Sequence, residues 1–111
     1  MLKCNTDGAS KGNPGPSSAI FCIWDHDGNL IVAKGFKLPN MANMVAESIA
    51  IRESLIYCSV HGIGHVILET NSLTMVHIFE GEWDIPWSIE LKVNDIRRLR
   101  EVVSARIKHS T

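Results

Sequence analysis

The run Asp7-Gly8-Ala9-Ser10-Lys11-Gly12-Asn13-Pro14-Gly15 constrains this chain more than any other stretch. It sets one carboxylate at the end of a short strand-like segment. Three glycines and a proline follow, a composition that predicts a turn directly after Asp7. The glycines permit φ > 0 and the close approach of a bulky partner. Pro14 fixes its own φ and predicts an extended Asn13 before it. Loops carry function more often than packing, so a turn this elaborate is expected to touch something. Asp7 is the first candidate functional residue.

With 111 residues, 45% of them apolar and 21% charged, the chain is expected to form one domain, residues 1–111, around its own core. No apolar run approaches the roughly 18 residues of a membrane span. The start Met1-Leu2-Lys3-Cys4 lacks the basic-then-apolar order of a signal segment. Cys4, Cys22 and Cys58 are odd in number and lie in apolar segments, which predicts free buried thiols and an intracellular location. No CxxC or paired Cys/His spacing suggests structural zinc. A net charge of −1 argues against a protein that grips nucleic acid by bulk positive charge. The positive charge is local, with Lys92, Arg97, Arg98, Arg100, Arg106 and Lys108 in the last fifth of the chain. That run is either the solvated face of a helix or a phosphate-facing patch.

Periodicity orders the rest. Leu2 to Asp7 alternates Leu/Cys/Thr against Lys/Asn/Asp, a strand with one polar face. Ala19 to Trp24 is apolar throughout, as in a strand covered on both sides. Asp25-His26-Asp27-Gly28-Asn29 is a hairpin, and Leu30 to Phe36 returns as a third strand. Asn43 or a neighbour is expected to cap a helix to about Val60, with Met44, Ser48, Ile51 and Leu55 on one stripe and His61-Gly62 at its end. His65 to Glu69 is a fourth strand, followed by a short helix from Ser72 to about Phe79. Asp84 and Pro86 mark the start of a helix carrying Ile89, Val93, Ile96, Leu99 and Val103. Arg106 to His109 begins a fifth strand. The order β-β-β-α-β-α-α-β predicts an α/β mixed sheet of a three-strand meander followed by two parallel strands.

In that layout a crossover helix makes the fourth strand a parallel neighbour of the first, which sets Asp7 beside Asn71. Glu47 falls in the first turns of the crossover helix, where its dipole favours a carboxylate. Three oxygen-bearing side chains from separate elements at one sheet end suit a hard cation. Taken singly, Asp7 is also a reasonable turn residue and Glu47 a reasonable surface residue. His65 and His77 read as surface or core-edge histidines. Trp83 and Trp87 flank Pro86 either as a hydrophobic clasp at the helix entrance or as stacking surfaces for bases.

These residues also carry a resemblance. Lys3 to Gly15 resembles the opening motif of plant ribonuclease H-like domains, which occur alone and within retroelement-derived polyproteins. Ala46-Glu47 with Ala50 and Arg52-Glu53 resembles the family's helix motif. Leu68-Glu69-Thr70-Asn71-Ser72 resembles its fourth-strand motif except at one position, and Pro86-Trp87 resembles the subgroup's helix start. The resemblance runs the length of the chain in order. It implies a ribonuclease H-like five-stranded mixed sheet with helices on both faces. The implied reaction is hydrolysis of the RNA strand of an RNA/DNA hybrid with two Mg²⁺ ions. It further implies Asp7, Glu47 and Asn71 as catalytic positions, with Asp7 and Glu47 as metal ligands. Gly12, Asn13 and Asn43 would bind in the hybrid's minor groove, where 2′-hydroxyls distinguish RNA from DNA.

Two departures qualify what is implied. Asn71 stands where the family has an Asp, which removes a charge from the second metal's ligands and predicts impaired cleavage. The family also continues past the position of His109 into a last helix bearing a fourth carboxylate, whereas this sequence ends at Ser110-Thr111 and so reads as truncated. Without that helix, apolar residues of the first or second strand are expected to face water. An exposed patch there would suit a second copy or another protein. A hybrid-binding pseudoenzyme or a retroelement remnant serving as an interaction module is the alternative to a weakened nuclease.

Overall fold

The alternation of apolar and polar side chains decides which side of each strand meets the helices. The computed structural model describes residues 1–110. Its elements are β1 (Leu2–Ser10), β2 (Gly15–Trp24), β3 (Leu30–Met41), α1 (Asn43–Val60), β4 (His65–Thr70), α2 (Leu73–Phe79), α3 (Glu90–Val102) and β5 (Ser104–His109), with a 3₁₀ turn at Trp87–Ile89 before α3. The sheet runs in the order β3-β2-β1-β4-β5. The first three strands form an antiparallel meander, and β4 and β5 add in parallel.

One face of the sheet is covered. Cys4 and Thr6 of β1, Ala19, Phe21 and Ile23 of β2, Val66 and Leu68 of β4, and Ala105 and Ile107 of β5 are all buried. Apart from Thr6 and Ala19, they meet Ile51 and Leu55 of α1, Met75 of α2, and Val93 and Ile96 of α3 in one apolar cluster, while Ala19 packs with Ile49 and Ala50 in a smaller one. Each fully buried Leu or Ile side chain contributes roughly 1.5–3 kcal/mol by leaving water. The α1 stripe is as spaced: Ser48, Ile51 and Leu55 are buried, and the hydroxyls of Ser48 and Ser54 donate to the carbonyls of Val45 and Ile51, each at 2.7 Å. Cys4, Cys22 and Cys58 are free thiols, and burial pushes the Cys4 thiol up to about 12 and Cys58 to about 11. Among the described residues, no helix is long and apolar enough to cross a membrane.

Several sequence expectations are corrected. β1 does not stop at Asp7: Gly8, Ala9 and Ser10 pair with Ala19, Ser18 and Ser17. A partner strand already aligned from Lys3 onward supplies ladder bonds that override the weak strand preference of glycine. The turn is thereby shortened to residues 11–14. Asn13 is not extended but has φ of 30°, a region asparagine tolerates, and its side chain is held by α1 as described below. β2 is covered on one side only, since Ile20 is 45% exposed while Phe21 and Ile23 are buried. Likewise the helices that cover the sheet lie on one face rather than both, and Leu30 and Ile31 are exposed near Trp24, at the other end of β2 from Ile20. Asp84 caps nothing; Pro86 precedes the 3₁₀ turn and α3 begins at Glu90. The Trp83–Trp87 clasp is also absent, because Trp87 is 88% exposed.

Gly8 is the point where the sheet and α1 come into backbone contact. A Cβ at this position would fall inside contact distance of the Ala46 carbonyl carbon and the Glu47 backbone nitrogen. The start of α1 therefore rests on the bare backbone of β1. Overpacking a closed contact costs about 1–3 kcal/mol or more, whereas an exposed strand position changes stability by about 0.5 kcal/mol or less. Gly8→Ala is thus expected to lower the urea midpoint by an amount equivalent to about 3 kcal/mol, with Ile20→Thr near neutral. A Gly8→Ala protein as stable as the parent would contradict this packing.

Candidate functional site

Asp7 and Asn71 meet because β1 and β4 run parallel in register, with Thr6 opposite Thr70. One residue further along each chain, the Asn71 Nδ2 donates to Asp7 Oδ1 at 3.1 Å. Both side chains are exposed at the end of the sheet. Glu47 arrives from the other direction, on the second turn of α1 directly over Gly8. Burial raises the Glu47 carboxyl above its ordinary value. A hydrogen bond from the Ser72 hydroxyl opposes that rise, and the negative charge of Asp7 adds to it. All three positions singled out in the sequence therefore come to one place.

The donor set fits a hard divalent cation. Two carboxylates lie close enough for one to raise the other's pKa. Neither forms an ion pair among the described residues, whose bridges engage other acids. Adjacent anions without a basic partner match the preference of Mg²⁺ for anionic oxygen ligands. Asp7 and Glu47 would hold such an ion.

Beside this pair, Asn13, Asn43, Met44, Glu47, Ser72 and Pro86 help to line a cleft of about 460 Å³. Its rim is built by side-chain hydrogen bonds between the turn and α1. Asn43 is the first residue of the helix, not its cap, which is Ala42. The Asn43 Oδ1 accepts from the Ser10 backbone N at 2.7 Å and from Ser10 Oγ at 2.9 Å. In turn Asn13 Oδ1 accepts from the Asn43 backbone N at 2.9 Å. Asn13 thus performs across the chain what an N-cap residue does locally, satisfying an orphan N–H of the first turn. Gly12, with φ of 88°, lets the turn reach α1. Since both amide oxygens are engaged internally, the NH₂ groups of Asn13 and Asn43, two residues that line the cleft, have no hydrogen-bond partner among the described residues.

Two contributors escaped the sequence reading. Ser10 pins Asn43 but looked like a turn residue. Ser72 accepts from the Met75 backbone N at 3.2 Å as the α2 cap and also acts on Glu47, opposing its upward pKa shift; its capping role was legible from its place before Leu73, its influence on Glu47 was not. Away from this site, His77 stacks on Trp83 with centroids 4.5 Å apart and its Nδ1 lies 3.0 Å from Glu82 Oε2. The C-terminal cations divide: Arg98 bonds Asp95, Arg100 donates to the Ala105 carbonyl, and Arg106 and Lys108 lie exposed on β5.

This five-stranded order, with a crossover helix carrying an acid toward the end of the first strand, is the ribonuclease H fold. The chain belongs to the reverse transcriptase-like family, whose pattern matches residues 5–110. No curated protein matches it by sequence. Among solved structures, ribonuclease H1 from the halophilic archaeon Halobacterium salinarum NRC-1 is 25% identical with a TM-score of 0.91, over 98% of this chain and 84% of that one. LC11-RNase H1 in complex with an RNA/DNA hybrid is 25% identical with a TM-score of 0.92, over 99% and 85%. The N-terminal RNase H domain of Rv2228c from Mycobacterium tuberculosis, at 19% identity and a TM-score of 0.92 over 98% and 81%, shares the fold.

The upward shift of Glu47 has a definite sign in stability. A carboxyl whose folded pKa is raised binds its proton more readily when folded, so its ionised form costs stability above that pKa. The cost disappears as pH falls through the raised value toward 4.5. In metal-free protein, Glu47→Gln is therefore expected to raise the melting midpoint at neutral pH, with the gain vanishing in acid. Thermal melts in EDTA across pH 4 to 8, about the carboxylate range, test this; a Gln variant less stable at neutral pH would contradict it.

Proposed function

We propose that this chain binds RNA/DNA hybrid in the cleft beside Asp7 and Glu47, and that it is a weak ribonuclease H, impaired at Asn71. The observation that carries the reading is the side-by-side placement of the Asp7–Glu47 pair and the Asn13 and Asn43 amide donors on one rim. Likeness to a ribonuclease H1 solved with a hybrid supports the substrate class. Donor groups along the rim suit 2′-hydroxyl and base-edge acceptors of a minor groove, the surface by which RNA is told from DNA. Gly12 keeps that rim free of a side chain.

Mg²⁺, when bound, supplies water activation and stabilises the leaving 3′-oxygen. The chain's part is to present Asp7 and Glu47 as ligands and to hold the hybrid against them through Asn13 and Asn43. Asn71 is neutral where a third carboxylate would complete the set. Loss of one catalytic carboxylate costs on the order of 10⁴ in rate in a well-studied hydrolase of another kind, which sets the scale of the impairment.

A second reading, an interaction module, has one observation in its favour: Ile20, Leu30 and Ile31 are each about half exposed on or beside the uncovered sheet face. Such a strip would suit a second copy or another protein.

A labelled hybrid incubated with the parent and with Asn71→Asp, with and without Mg²⁺, separates these. The expected result is faint Mg²⁺-dependent cleavage by the parent and an increase of at least about 10²-fold in the variant. Asn13→Ala and Asn43→Ala should each weaken hybrid binding by about 1 kcal/mol, roughly fivefold. A variant that binds hybrid without cutting it would leave a binding module. Loss of both binding and cutting would favour the interaction reading.

A further inference from the structure

Asn71 differs from a carboxylate in more than charge. An ionised Asp7 has acceptors only, so a side-chain amide bonded to it must offer its NH₂. That is the arrangement found: Asn71 Nδ2 donates to Asp7 Oδ1 at 3.1 Å. To act as a cation ligand the same amide would have to present Oδ1 instead, and in doing so abandon Asp7. A carboxylate at this position would have no donor to offer and would repel Asp7 until a cation arrived between them.

We propose that Asn71 is an internal competitor for the cation rather than a weak ligand of it, its amide donor occupying the Asp7 oxygen that a divalent ion would take. This rests on the reading of Asp7 and Glu47 as the cation-binding pair. The donor places partial positive charge against Asp7, one of two neighbouring carboxylates that have no ion pair among the described residues. It therefore lowers the free energy of the metal-free site, and a hard cation must displace it to gain full access to Asp7. Hydrogen bonds to ionised groups are the stronger ones, so the competition is appreciable even at an exposed position.

The distinction is one of sign. If Asn71 were a poor ligand, removing it would weaken cation binding; if it is a competitor, removing it strengthens binding. Mn²⁺ serves as the hard divalent probe, with free ion counted by electron paramagnetic resonance in the intact chain. Asn71→Ala is expected to bind Mn²⁺ about threefold to tenfold more tightly than the parent. Asn71→Asp, which adds charge as well as removing the donor, should bind at least about tenfold more tightly than Asn71→Ala. Asp7→Asn is the control and should lose most of the binding. An Asn71→Ala protein that binds Mn²⁺ equally or less tightly, with Asp7→Asn still impaired, overturns the competitor role and leaves the cation pair standing. If Asp7→Asn binds as the parent does, the pair itself is wrong and the inference falls with it. A second readout needs no titration by affinity: the Asn71 side-chain amide resonance of the parent should shift when Mg²⁺ is added. A resonance unmoved at Mg²⁺ concentrations that saturate the site overturns the proposal as well.

Discussion

The contact on which the rest of the site depends is the seating of α1 on Gly8. Helices normally pack on a sheet through side chains that bury an apolar stripe against it. Here the backbone of Ala46 and Glu47 lies where a Cβ on Gly8 would be. Small neighbours make this possible, since Ala46 and Ala50 are fully buried on the same face of α1. The close approach brings Glu47 within electrostatic reach of Asp7. It also brings the first residue of the helix to Ser10, so that a turn otherwise free in solvent is tied to α1 by the amides of Asn13 and Asn43.

From that anchor the electrostatics follow. A half-buried glutamate beside an exposed aspartate is an arrangement that packing alone would not select. It is relieved in part by two polar neighbours from the β4–α2 junction, Asn71 on Asp7 and Ser72 on Glu47. The junction can supply both because the parallel register of β1 and β4 ends within one residue of Asp7 and because Ser72 is already turned inward as the α2 cap. An ionised Glu47 therefore costs stability, a cost that the proposed cation-binding role would account for.

Most of the architecture was legible in the chain because periodicity and caps are local signals. The α1 stripe, the Gly62 stop, the Ser72 helix start and the α3 spacing all derive from residues a turn or two apart. What was not legible depended on distant partners. Whether Gly8 to Ser10 is turn or strand is settled by Ala19, Ser18 and Ser17 across the ladder. The one-sided burial of β2 is invisible in an unbroken apolar run, because Ile20 and Phe21 look alike until the helices choose a face. Asn13 was misjudged from the proline after it, while a backbone N–H thirty residues away holds its conformation. At the site, residue identities pointed to Asp7, Glu47 and Asn71; no pattern could say that the Asn71 amide would turn its donor toward Asp7.

That last orientation separates two properties that a ribonuclease H fold usually joins. Holding a hybrid asks for shape and for donors along the rim, which in the proposed function the Asn13–Asn43–Ser10 network would supply, and that network does not involve position 71. Cutting asks for anionic oxygens around Asp7, which position 71 decides. Because the two sets share no hydrogen bond, an amide at position 71 leaves the rim's network untouched. The scaffold therefore tolerates the exchange of Asp for Asn with no structural penalty at the rim, and the Asn71–Asp7 bond stabilises the metal-free form. On the proposed reading, one residue in the exposed acidic corner would separate binding from cutting without any repacking of the core.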